Sequence, residues 1–311
     1  MNTLKKYISP LLLLLAAAIW GFAFAAQGAA DTIPPFTLGA ARSILATLFL
    51  LIIIPLFDKT FHTGRTLFRK KTVFDFNKTE IIGGAICGFF LALASFFQQL
   101  GINSGTEAGK ASFITALYVV IVPIYALFLR KRAALNVWVG IIISVLGFYL
   151  LCIDGNFKIA TADLFVLASA FTFPLQILAI DKFSPLCDGV RMSCVQFFTA
   201  TIVNTTLALI FESPLEVSLV FSHALPVLYL GIASSGIAYT LQIIGQRGYD
   251  NPAAASILLC LESVFGVLGA AIFLRESLSA REYIGCAIVF VAVMISQLDF
   301  MSIFKNKKEK L

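Results

Sequence analysis

Ten apolar stretches, most of them parted by only a few residues, run through this 311-residue chain, near 8 to 29, 36 to 57, 81 to 102, 110 to 129, 137 to 153, 163 to 180, 191 to 210, 225 to 245, 252 to 274 and 283 to 299. At about 1.5 Å per residue each can cross roughly 30 Å of hydrocarbon, the shorter ones only if they stand straight. Hydrocarbon offers no water to backbone N–H and C=O groups, so a spanning segment satisfies them internally as a helix. The alternation expected of a transmembrane barrel is absent. Charged residues make up 13% of the chain, against about 25% in a soluble domain. The expected fold is an all-α membrane protein of ten transmembrane helices.

The Lys and Arg residues set the orientation. With the N-terminus cytoplasmic, the inner side holds Lys5 and Lys6, then Lys59, Arg65, Arg69, Lys70, Lys71 and Lys78, then Arg130, Lys131 and Arg132, then Lys182, Arg191 and Arg247, and at the end Lys305, Lys307, Lys308 and Lys310. The outer side has only Lys110, Lys158, Arg275 and Arg281, and Arg42 lies within a span. The positive-inside rule then predicts both termini in the cytoplasm. The net charge of +6 is a topology signal with some attraction to membrane lipid, and it gives no reason to expect nucleic acid. A cleaved leader ending near Ala23 and Ala25 is the competing reading of the first span; it would leave nine spans. The loop from Asp58 to Glu80 reads as a solvated linker, with binding to anionic lipid as the alternative. The six cysteines form no CxxC pair and read as packing residues, and His62 and His223 have no neighbours at ligand spacing; neither a metal nor a cofactor is expected.

An internal repeat organises the spans. FFQQLG (Phe96 to Gly101) matches TLQIIG (Thr240 to Gly245) at an offset of 144, which Ala111-Ser112 and Ala255-Ser256 keep, and FLR at Phe128 to Arg130 recurs at Phe273 to Arg275 with an offset of 145. The third, fourth and fifth spans thus correspond to the eighth, ninth and tenth. Five spans per unit is odd, so the second unit, 156–311, enters the membrane upside down relative to the first, 1–155. Such inverted repeats are a common transporter architecture, with the solute site near the midplane between the units.

Polar side chains inside the spans mark where that site would be. On the eighth, Ser235, Tyr239, Gln242 and Gln246 fall on one helical stripe. The third offers Ser95, Gln98 and Gln99, the fourth Ser112, Thr115 and Tyr118, the sixth Ser169, Thr172 and Gln176, and the first Trp20 and Gln27. Lipid cannot hydrogen-bond them, so they face one another or a wet cavity. Interhelical adhesion, at about 0.6 to 2 kcal/mol per bond, is the plain alternative. Glu262 lies near the centre of the ninth span, where an acid costs about 2.5 to 3.5 kcal/mol unless paired or protonated. It is the candidate for coupling to protons, or the counter-ion of a cationic solute, or a structural partner of Arg42 or a Gln; its partner in the repeat is Tyr118. Arg42, about six residues into its span, is read as structural, snorkelling to the outer surface, with a solute carboxylate as the alternative. Gly84 and Gly88 form a GxxxG read as close packing, or as the seam of a homodimer. Glu107 and Lys110 read as a surface pair.

Trp20-Gly21, PPFTLGAAR (Pro34 to Arg42), FITALYVVIVP (Phe113 to Pro123), SGIAYTLQIIGQ (Ser235 to Gln246) and, most specifically, LESVFGVLGAAIFLRESLSAREYIG (Leu261 to Gly285) resemble the drug/metabolite transporter superfamily, EamA type. The resemblance covers nearly the whole chain. It implies ten helices in two repeats, a bacterial cytoplasmic membrane, movement of small metabolites such as amino acids, and a cavity lined by the first, third, fourth, sixth, eighth and ninth spans. The chain departs from the family at Glu262-Ser263, where a proline is common. HExxH, a Gly-rich phosphate loop and a nucleophile elbow are all missing, which argues against an enzyme and against direct ATP drive. The expected function is secondary transport of a small solute by alternating access; an uncoupled facilitator, or a membrane-embedded enzyme or assembly protein using the same cavity, is the alternative.

Overall fold

The computed structural model describes residues 2–61, 75–131, 133–152, 160–212, 214–249, 251–275 and 279–297. They form helices throughout: α1 (Asn2–Gly28), α2 (Pro35–Phe61), α3 (Lys78–Asn103), α4 (Ala108–Phe128), α5 (Leu135–Cys152), α6 (Thr161–Phe183), α7 (Gly189–Phe211), α8 (Ala224–Gln246), α9 (Pro252–Leu274) and α10 (Ala280–Gln297), with a short helix, Val217–Ser222, between α7 and α8. Among the described residues eight of them, all but α5 and α10, are long and apolar enough to cross a membrane, and α5 and α10 show the apolar runs Leu135–Gly147 and Tyr283–Ala292. The expected fifth and tenth spans run on to 153 and 299, beyond the described residues. The outside of the bundle is greasy. Leu48, Ile52 and Leu56 expose a stripe at four-residue spacing along α2, a surface suited to acyl chains rather than water.

Local chemistry sets the helix starts. Asn77 caps α3 by accepting from the Glu80 amide at 2.7 Å while the Glu80 carboxylate takes the Asn77 amide at 2.8 Å. Asp188 caps α7 by accepting from the amides of Val190 and Arg191, and Asn251 followed by Pro252 opens α9. Far from being a solvated loop end, Glu80 is fully buried and also accepts from the Asp188 amide at 3.1 Å. The loop's other end, Asp58, belongs to α2 and holds Arg191 of α7 through two hydrogen bonds of 2.7 and 3.1 Å. Residues 62–74 of that loop, His62 among them, lie outside the described residues. At the opposite end of the same helix pair, Glu212 accepts from the amides of Phe36 and Thr37 at 2.8 and 2.7 Å and so completes the start of α2. Lys110 pairs with Asp163 of α6 at 2.7 Å and not with Glu107, because Asp163 is fixed beside it by capping α6 through the Ala160 amide.

Positions 144 or 145 residues apart share more than sequence. The helical turn tightens at Leu117 in α4 and at Leu261 in α9, where each amide bonds the carbonyl three residues back, Ile114 at 3.2 Å and Leu258 at 3.3 Å. Pro123 lies beyond the first break, but α9 has no proline there, so proline is not the common cause. Ser112 and Ser256 donate to the carbonyls of Gly109 and Ala253. Both helices end on a left-handed arginine, Arg130 (φ 59°) and Arg275 (φ 58°). The packing follows the same exchange: α2 pairs with α7, α4 with α9 and α5 with α10, while α3 lies on α6 and α7 as α8 lies on α1 and α2. Gly84 and Gly88 are filled by Val195 and Thr199 of α7, so the GxxxG seam is used within the chain and not offered to a second copy.

Candidate functional site

Six helices, α1, α3, α4, α6, α8 and α9, with Arg42 of α2, enclose a cavity at the centre of the bundle. Trp20, Gln27, Gln98, Tyr118, Gln176, Tyr239, Gln242 and Glu262 all line it. The free volume is about 40 Å³, room for a few waters, whereas sites that hold small molecules measure about 300–1,000 Å³. The cavity is closed in this conformation.

The two halves of its wall correspond. Gln98 and Gln242, Thr115 and Leu259, and Tyr118 and Glu262 are pairs 144 residues apart; Trp20 and Phe173, Ala23 and Gln176, and Phe24 and Ile177 are pairs 153 apart. In each half an amide on the unit's first helix donates to one on its third: Gln27 Nε2 to Gln98 Oε1 at 2.9 Å, and Gln176 Nε2 to Gln242 Oε1 at 3.2 Å. Gln98 passes the chain on to Thr115 Oγ1 at 3.0 Å. Trp20 and Tyr239 meet with ring centroids 4.5 Å apart.

Several polar atoms are left over. Among the described residues Gln27 Oε1 is buried and makes no hydrogen bond, and the buried Tyr118 hydroxyl and Glu262 carboxylate have only each other. In an apolar core an unmade bond of this kind costs about 1–3 kcal/mol, so these atoms are the ones that a water or a solute would satisfy.

Other expected residues sit elsewhere. Ser112, Ser169 and Thr172 donate to carbonyls of their own helices, Gly109, Val166 and Ala168, and so offer no free donor. Gln99 bonds Asn103 and the Gln27 carbonyl, and Gln246 bonds the Ile177 carbonyl; both are buried behind the wall. Ser95 borders a smaller cleft behind Arg42. Ser235 misses the cavity because α8 widens over Tyr229–Ala238, with backbone bonds reaching five residues instead of four. That spacing puts Ser234 above Tyr239, where a uniform helix would put Ser235.

Arg42 is the residue the sequence undervalued. It is 8% exposed, lines the cavity, and donates from Nε to Ser235 Oγ at 3.0 Å and from Nη2 to Ser234 Oγ at 3.2 Å, so it neither snorkels nor pairs with Glu262. The wide turn accounts for both bonds, since it turns two consecutive serines toward one guanidinium; the Ser234 carbonyl also takes Trp20 Nε1 at 3.1 Å. The signal was present in the sequence: a lone in-span cation costs more than an interfacial one and calls for an interior partner.

An Archaeoglobus fulgidus protein named an uncharacterized transporter is 29% identical over 300 residues, 94% of this chain and 87% of that protein. A second so named, from Methanothermobacter thermautotrophicus, is 26% identical over 274 residues, 84% of this chain and 77% of that protein. One solved crystal structure superposes with a TM-score of 0.70 at 19% identity, covering 93% of this chain and 96% of that one, and so shares the fold. Residues 8–153 and 160–297 each match the EamA-like transporter family, and the chain belongs to that family.

Proposed function

We propose that the protein is a secondary transporter of a small polar or zwitterionic metabolite, an amino acid being the first candidate, that works by alternating access around the central cavity. In this reading ten helices span a cytoplasmic membrane as two inverted units, 1–155 and 156–311, with both termini on the cytoplasmic side. The observation that carries it is the closed cavity whose wall is drawn from both halves at matched positions, beside two helices that break at matched residues, Leu117 and Leu261. Interrupted helices at the interface of two repeats are where transporters hold their solutes. A cavity of about 40 Å³ must widen on one side or the other to admit an amino acid, and a repeat in two orientations supplies two such openings. Trp20, Gln27, Gln98, Tyr118, Gln176, Tyr239, Gln242 and Glu262 are the proposed solute contacts, with Gln99, Ser235 and Gln246 supporting them from behind; Glu262 is the proposed coupling group.

Flux of labelled amino acids into proteoliposomes carrying the purified protein tests the reading. Accumulation that needs both the protein and a proton gradient supports coupled transport, and turnover of solute without flux would replace it with an enzyme. The orientation is tested separately in a cysteine-free background, by cysteines at position 63, which lies outside the described residues, and at Ser218. Reaction of position 63 with an impermeant reagent in intact cells would reverse the proposed topology.

A further inference from the structure

Two apolar trenches open sideways on the bundle surface, at opposite ends of it. The first, about 470 Å³, lies between the end of α1 (Phe22, Ala25, Ala29), the start of α8 and the end of α9 (Phe273, Leu274). The second, about 390 Å³, lies between the end of α6 (Leu175, Leu178, Lys182), the start of α3 and the end of α4 (Phe128, Leu129). Two of their three walls correspond: α1 residues of one and α6 residues of the other are 153 apart, and the α4 and α9 residues are 145 apart. Among these matched positions one exchange changes the charge. Where the first trench has the methyl of Ala29, the second has the ammonium of Lys182.

We propose that the second trench binds an anionic phospholipid, an acyl chain lying along Leu175, Leu178 and Phe128 and the phosphate seated at Lys182 with Arg130 beside it. This rests on the reading of the chain as membrane-spanning. Lipid is the material that meets an exposed apolar trench in a bilayer, and the charge selects the headgroup. Lys182 is exposed, lies 5.3 Å from the centroid of the Phe183 ring, and has no carboxylate partner among the described residues. Arg130, one residue past Leu129, is also exposed and unpaired among them. Lys131 next to it is held by Asp181 and is not available to the phosphate. A cation at headgroup level contributes about 1 kcal/mol to anionic-lipid binding, and a volume near 390 Å³ is within the range of ligand sites.

The test is lipid retention by the purified protein in detergent, read by native mass spectrometry with phosphatidylglycerol and phosphatidylcholine. Wild type should keep phosphatidylglycerol in preference; Lys182→Ala should lower its retention about fivefold and leave phosphatidylcholine unchanged, with Lys182→Arg behaving as wild type. Ala29→Lys should add a second phosphatidylglycerol site on the matching trench. Equal retention by wild type and Lys182→Ala overturns the proposal, as does a trench closed by dimerisation, seen as a dimer that binds no lipid there. Displacement of the lipid by millimolar inorganic phosphate would likewise overturn it, in favour of a free-anion site. Retention is measured without transport, so a protein that moves no solute would sink the functional reading and leave this one standing.

Discussion

α4 and α9 carry Tyr118 and Glu262 at the same step past the same tightened turn, yet one offers a phenol and the other a carboxylate. Around them the frame is matched: paired glutamines, serines capping equivalent carbonyls, arginines ending both helices. The chemistry is not. The first half links its amides in a chain from Gln27 to Gln98 to Thr115; the second has Leu259 where Thr115 stands, and instead gains Arg42 through the widened turn of α8. In the proposed reading, the shared geometry would let the two halves exchange conformations, and the unshared side chains would set what they recognise. A bundle that recognised with both halves alike would need a solute of matching symmetry.

Replacing each member of the central pair breaks the comparison most sharply. Glu262→Gln keeps volume and hydrogen bonding but removes the titrating group, so pH-jump-driven flux should vanish while exchange at equal pH continues; Tyr118→Phe should leave the driven flux in place. Full proton-driven uptake by Glu262→Gln would make the acid structural. Arg42→Gln comes next, with an expected loss of solute affinity of about tenfold or more, since a charge-assisted hydrogen bond contributes about 1.5–3 kcal/mol. A titration of ligand-induced thermal stabilisation measures it, and unchanged affinity would return Arg42 to a packing role.

The amides should differ more in stability than in transport. Gln98→Ala strands both Gln27 and Thr115, about 1–3 kcal/mol, whereas Gln242→Ala deprives only Gln176, which keeps Gln196 at 3.4 Å, about 0.6–2 kcal/mol. Thermal melts of the two variants should rank in that order, and the reverse order would mean that the second half is the stiffer one. The smallest effect belongs to the helix ends: Arg130→Gly and Arg275→Gly relieve a left-handed backbone, and each should raise stability by at most about 1 kcal/mol and by similar amounts if the ends are equivalent.

The helices were legible because hydrocarbon leaves them no alternative, and the correspondence of the halves because Gln98 and Gln242, or Phe128 and Phe273, keep their spacing through apolar sequence. Glu262 and Tyr118 could be matched as equivalents in the repeat from that offset alone. Ser234 could not, because a backbone bond reaching five residues shifts the face of α8 by one position and leaves no mark in composition. Phe173, Ile177 and Leu259 were also hidden, since an apolar side chain on a cavity wall reads like one facing lipid. The Lys110 partner was missed for a third reason: Asp163 is 53 residues away in sequence, and only the packing of α4 on α6 brings it closer than Glu107.

Gly21 follows Trp20 on α1, and a Cβ there would fall on the side chain of Phe265 and, at 2.8 Å, on the carbonyl oxygen of Glu262 itself. The Phe265 side chain of α9 is seated in the hollow that Gly21 leaves, and Phe22 of α1 lies against Gly269 of α9, so the two helices meet backbone to backbone and are keyed together at this crossing. The contact works as a keyed joint, set against the turn that carries the buried acid and one residue from the indole of Trp20. Whatever shifts α1 against α9 therefore shifts the backbone of the buried acid with it.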